Sequence, residues 1–189
     1  MAESENNIVT HGLSGKVGNT LVFRQRAGKT VVASPPHHTN KPVSNPQVLQ
    51  RQKFQEAVIY GKIAIKDIAT KAAYEAAAAS GISAFNIAVA DMLNAPDIEL
   101  IDLSAYHGNI GDKITVKATD DFKVTGVTVG IYKTDGTLIE KGSAIAGTNG
   151  LLWVYNATVA NSASITGDKI VVDVTDTPGN VTEKQQIVV

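Results

Sequence analysis

The sequence predicts an α+β protein in several parts, an N-terminal β-hairpin plus α-helices and then an all-β, immunoglobulin-like sandwich. Three observations carry this. Apolar residues recur at spacings of three and four across residues 47–79, the period of a helix with one apolar stripe. From Asp97 onward the period changes to two, with Gly, Asn, Asp and Pro groups between the apolar runs, as in a sandwich of short strands. Residues 34–46 hold four of the six prolines and separate a short hairpin from the helices. The expected parts are residues 1–45 (tail, hairpin arm and Pro-rich linker), 46–95 (helices) and 96–189 (sandwich).

Residues 1–11 read as a loose tail, and the glycines of HGLSGKVGN predict sharp turning. Residues 20–26 (TLVFRQR) and 29–33 (KTVVA) alternate as strands around an Ala27-Gly28 turn. Leu21, Phe23 and Gln25 share one side of the first strand; Val22, Arg24 and Arg26 share the other. A two-stranded hairpin is marginal in water, so this one is expected to dock, and Leu21, Phe23, Arg24, Arg26, Lys29 and Val31 form the candidate interface.

The proline-rich stretch predicts an extended connector, ending where Ser44 or Asn45 caps a helix and Pro46 suits its first turn. Phe54, Val58, Ile65 and Ile68 define the stripe expected to be buried, within or between chains, and Gly61 is a candidate bend. Ser80-Gly81 ends this region, and residues 83–94 predict a shorter helix with Phe85, Ala88, Val89 and Met92 on one face. Strands are expected at 98–103, 113–119, 124–132, 137–145, 151–157, 168–175 and 181–189.

Cysteine is absent, which excludes disulfides, thiolate metal sites and cysteine nucleophiles. No secretory signal is visible, and no apolar run approaches the roughly 20 residues that span a bilayer. Formal charge is uneven: residues 1–95 carry +4 and residues 96–189 carry −5. No acidic residue lies between Glu5 and Glu56, a window that holds Lys16, Arg24, Arg26, Lys29, Lys41, Arg51 and Lys53. Opposite charge at the two ends suits head-to-tail association, though two separately solvated surfaces would read the same way.

Chemical motifs are missing or incomplete. GLSGKVGN fails as a phosphate loop, because Thr10 stands where its first glycine belongs and Val17 where its magnesium-binding hydroxyl belongs. No Gly-x-Ser-x-Gly elbow marks a serine nucleophile. His37-His38 has no nearby acidic residue to complete a metal site and reads as a polar linker pair. Asp120, Asp121, Asp173 and Asp176 fall at expected strand ends, where carboxylates either hold calcium or cap turns. Trp153 and Tyr155 share one strand face: inward they are core, outward a ledge for sugar or protein. No cofactor site is expected.

GLSGKVGNTLVFRQRAGKTVVASPP followed by NPQVLQRQKFQEA resembles the start of a family of small proteins from gut and marine bacteria and their tailed phages. ISAFNIAVADMLNAPDIELIDLSAYHGNIGDKI, with ATDDFKVTGVTV, LIEKGSA and DTPGN, resembles immunoglobulin-like modules of bacterial and phage structural proteins. The resemblance covers most of the chain through glycines, turn residues and helix patterns, and it implies no catalytic residue. The expectation is a non-enzymatic, self-assembling homo-oligomer with other structural subunits as partners, in a virion or a particle assembled in the cytoplasm. The alternatives are an adhesive module for glycan or protein, or a small nucleic-acid binder using the basic half.

Overall fold

Residues 20–33 form the expected strands, but not as a lone hairpin. The computed structural model describes residues 2–4, 7–26, 28–36, 42–161 and 164–189. In it β1 (Ala2–Ser4) pairs with β4 (Lys29–Ala33), β4 with β3 (Leu21–Arg26), and β3 with β2 (Gly15–Val17), giving an antiparallel sheet of order β1-β4-β3-β2. The expectation of a loose tail is thereby corrected at residues 2–4. The extended segments at 2–4 and 15–17 satisfy the backbone groups that the hairpin edges would otherwise expose. Gln25 fastens the intervening loop, its Nε2 donating to the Leu13 carbonyl at 2.8 Å and to Thr30 Oγ1 at 2.9 Å. Ala27, half of the expected turn, lies outside the described residues.

The helices are α1 (Asn45–Ala64), α2 (Ile68–Ala77) and α3 (Ala84–Leu93). At the start of α1 the Ser44 backbone N–H donates to the Gln47 side chain at 3.1 Å, with Pro46 in the first turn. The break falls after Ile65 rather than at Gly61. Asp67 caps a new helix there, accepting from Thr70 N at 2.8 Å and Thr70 Oγ1 at 2.6 Å.

Gly61 has a packing role instead. A Cβ at this position would lie 2.8 Å from Val89 Cγ2 and 3.1 Å from Phe85 Cε2, so its absence lets α1 and α3 approach closely. The expected intrachain stripe is corrected accordingly. The face that α1 buries is Ala57, Gly61 and Ala64. Phe54 is 51% exposed and Ile68 86%, and Val58 and Ile65 are half-buried. Small residues on that face allow the close backbone approach of α1 to α3.

Period-two alternation becomes β5 (Asp97–Asp102), β6 (Lys113–Thr119), β7 (Val124–Tyr132), β8 (Leu138–Ser143), β9 (Ile145–Ala146), β10 (Leu152–Asn156), β11 (Lys169–Asp176) and β12 (Val181–Ile187). They form two antiparallel sheets, β5-β6-β10-β9 and β12-β11-β7-β8. These are the immunoglobulin orders A-B-E-D and G-F-C-C′. The strand expected over 137–145 divides at buried Ala144: β8 pairs with β7 in one sheet, and β9 crosses to pair with β10 in the other. Ile98, Ile114, Val116, Val127, Val129, Ile131, Ile170, Val172 and Val174 fill the space between the sheets.

Candidate functional site

The first candidate region is the N-terminal sheet. Its register pairs Arg24 with Val31, Phe23 with Val32 and Lys16 with Val22. Lys16, Arg24, Arg26, Lys29 and Val31 therefore share one face, and Leu21 and Phe23 lie on the other. The six residues expected to form one interface are divided between two faces. Arg24 and Arg26 are exposed, Lys29 pairs with Glu3 at 3.7 Å, and Val31 is buried within the sheet. Leu21 is exposed and Phe23 half-buried. Among the described residues, no pairing of this sheet with a helix or a sandwich strand amounts to more than sparse contact.

The aromatic ledge is corrected. Trp153 and Tyr155 are 8% and 5% exposed, because the β10–β6 register sets them opposite Val116 and Ile114 on the inward face. The Tyr155 hydroxyl donates to Glu140 Oε2 at 2.9 Å, and burial with this contact pushes its pKa up to about 12. The Trp153 indole nitrogen is buried without a hydrogen-bond partner among the described residues.

The four acidic residues singled out in sequence separate into different settings. Asp173 accepts from Lys141 at 2.8 Å on the sheet surface, and Asp121 accepts from Asn94. Asp120 and Asp176 serve turns. Asp120 Oδ2 accepts from Phe122 N at 3.2 Å and Lys123 N at 2.8 Å; Asp176 Oδ1 accepts from Gly179 N at 2.8 Å and Asn180 N at 2.6 Å. These two also converge with Asp91 of α3: one carboxylate oxygen from each lies within 4.8 Å of the other two.

This carboxylate cluster sits where the helices meet the sandwich, and neighbouring groups brace it. Tyr74 of α2 stacks on Phe122 with ring centroids 4.3 Å apart. Its hydroxyl donates to Asp91 Oδ2 at 2.5 Å and lies 2.9 Å from the Tyr60 hydroxyl. A phenol has one proton, so Tyr60 donates to Tyr74 and Tyr74 to Asp91. The Asn180 amide nitrogen donates one proton to Asp176 Oδ2 at 2.7 Å and turns the other toward the carbonyls of Asp91, Met92 and Asn94, 3.3–3.5 Å away at the end of α3. Burial pushes the Asp91 pKa up to about 7, the Tyr74 hydrogen bond pulls it down, and the charges of Asp120 and Asp176 push it up. Burial also raises the Tyr74 hydroxyl, reinforced by its contacts with Asp91 and Tyr60.

Asp91 carries no signal in sequence. It looks like an ordinary polar position of a helix, and only the packing of α3 on the sandwich end brings it to Asp120 and Asp176. His37 and His38 lie outside the described residues. Among the described residues no helix is long and apolar enough to cross a membrane.

No family model and no curated protein matches the chain. Two solved structures are similar in part. A Group B Streptococcus pullulanase shares 17% identity over 43% of this chain and 11% of its own, with a TM-score of 0.27. An engineered protein shares 15% identity over 58% of this chain and 29% of its own, with a TM-score of 0.32. Likenesses this partial carry no argument about function.

Proposed function

We propose that the chain is a non-enzymatic, self-assembling structural protein, a component of a tailed-phage particle (ring, neck or decoration layer) or of a related filament. The observation that carries this reading is a small sheet with a basic face, its strands in only sparse contact with the described helices and sandwich strands, joined through a proline-rich linker to a body whose sandwich half is acidic. Such a sheet is available to a neighbouring copy, and opposite charge orients the encounter. Repetition of a heterologous contact builds rings or filaments. Because the open edges of the sheet belong to β1 and β2, strands of only three residues, docking uses the face of Arg24, Arg26 and Lys29 rather than strand completion. The resemblance to phage and bacterial structural proteins supports the same reading. The inward placement of Trp153 and Tyr155 removes the ledge that a glycan-binding module would use.

Sedimentation of the full chain beside a chain lacking residues 1–43 tests the proposal. The full chain is expected to associate and the shortened chain to remain folded and monomeric. Reversing charge at Arg24, Arg26 and Lys29 should weaken association more at low salt than at high salt, because screening already removes the attraction at high salt. Identical sedimentation of the two chains overturns the reading. Steeply salt-dependent binding to DNA by the same face, without self-association, would favour the nucleic-acid alternative instead.

A further inference from the structure

We propose that Asp91, Asp120 and Asp176 bind one calcium ion at the junction between the helices and the sandwich. The three carboxylates come from separate elements: Asp91 from α3, Asp120 from the turn after β6, and Asp176 from the end of β11. Asp91 is 1% exposed and Asp176 2%. Among the described residues, no lysine, arginine or histidine forms an ion pair with any of them. Converging carboxylates out of water without a counter-charge is strongly unfavourable, and a bound cation relieves it.

The second observation concerns individual oxygens. Asp91 Oδ1 and Asp120 Oδ1 are buried and accept from no N–H or hydroxyl among the described residues, so a side chain with almost no contact with solvent presents an oxygen that only a cation, or a proton shared between the two carboxyls, can match. The other oxygens of the pair are held: Tyr74 donates to Asp91 Oδ2, and the Phe122 and Lys123 backbone to Asp120 Oδ2. Donors on the outer oxygens fix the orientation of the inner ones, as outer-shell contacts do around metals.

Distance and chemistry select the ion. Two oxygens about 2.4 Å from one calcium lie at most about 4.8 Å apart. An oxygen from each of the three aspartates meets that limit. Calcium takes about six to eight oxygen ligands in irregular geometry, so water and further carboxylate oxygens complete the shell; magnesium demands a tight octahedron and seldom uses an all-protein cage. Zinc and copper favour imidazole or thiolate, which this cluster lacks. The bound ion would clamp the helices to the sandwich end.

The test uses the full chain stripped with EDTA, with calcium uptake followed by calorimetry and unfolding temperature measured with and without calcium. The expected result is one calcium per chain and a higher unfolding temperature in calcium. Asp91→Asn and Asp120→Asn should each weaken uptake at least about tenfold. Asp173→Asn, which removes a surface ion pair outside the cluster, should bind like the parent. In EDTA, Asp91→Asn should melt no lower than the parent, because the amide keeps an acceptor for Tyr74 and adds no charge to the cluster. In calcium the order should reverse. If Asp91→Asn fails to fold, Asp120→Asn, at a less buried position, decides the matter. No uptake at millimolar calcium, or uptake unchanged in the variants that fold, overturns the proposal.

Discussion

The sandwich closes its interior with branched side chains: Ile114, Val116, Val129, Ile131, Ile170, Val172 and Val174 have no exposed surface. The helical layer buries mostly small ones, with Ala57, Gly61, Ala64, Ala84 and Ala88 at its contacts and Tyr74 as the one large side chain fully enclosed. Several of its bulky residues point outward, with Ile59 59% and Ile63 61% exposed. Burial stabilises in proportion to apolar area, so the sandwich gains far more per residue than the helices do. The helices depend correspondingly on close backbone approach and on a polar junction built from Tyr74, Asp91 and Asn180.

Four experiments would break or sharpen that contrast. The largest effect is expected in the sandwich, where Ile131→Ala should cost about 2–5 kcal/mol by denaturant unfolding. A cost near that of a surface change would mean the sandwich core is not the main source of stability. In the helical layer the sensitive change is enlargement. Gly61→Leu, placed against Val89 and Phe85, should cost about 1–3 kcal/mol and loosen α3 from α1. Tolerance of leucine there would show that the close approach is not needed.

A smaller effect belongs to Tyr155, whose pKa rises from an ordinary 10.0 to about 12. Between those values the folded chain keeps a proton that the unfolded chain has lost, so stability should fall as pH rises from about 10 to about 12. Tyr155→Phe should reduce that slope, to which the buried Tyr74 also contributes, while costing on the order of 1 kcal/mol at neutral pH. An unchanged slope would assign it to another group. The smallest effect is expected at Ile68: replacement by Ala should change monomer stability by less than about 0.5 kcal/mol. A larger loss that appears only on association would place Ile68 in a subunit contact.

The secondary structure was legible over much of the chain. Expected strands at 113–119 and 124–132 coincide with β6 and β7, because alternation is a local property of the sequence. The start of α1 was readable from Ser44 and Pro46 for the same reason. Which face of α1 is buried was not. Phe54 and Ile68 satisfy the helical period as well as any core residue, and the choice of Ala57 and Gly61 depends on what lies opposite them. The hairpin partners were missed because three-residue strands carry too short a pattern to distinguish from loop.

Period and turn chemistry along the chain determine the α+β class, the order of the elements and the placing of Trp153 and Tyr155 on one face of their strand. These depend on neighbours in sequence, whose spacing the backbone sets. Only the tertiary structure decides the completed N-terminal sheet, the small-residue contact between α1 and α3, and the meeting of Asp91 with Asp120 and Asp176. Each joins segments distant along the chain, and their separation in space follows from packing that no local period encodes.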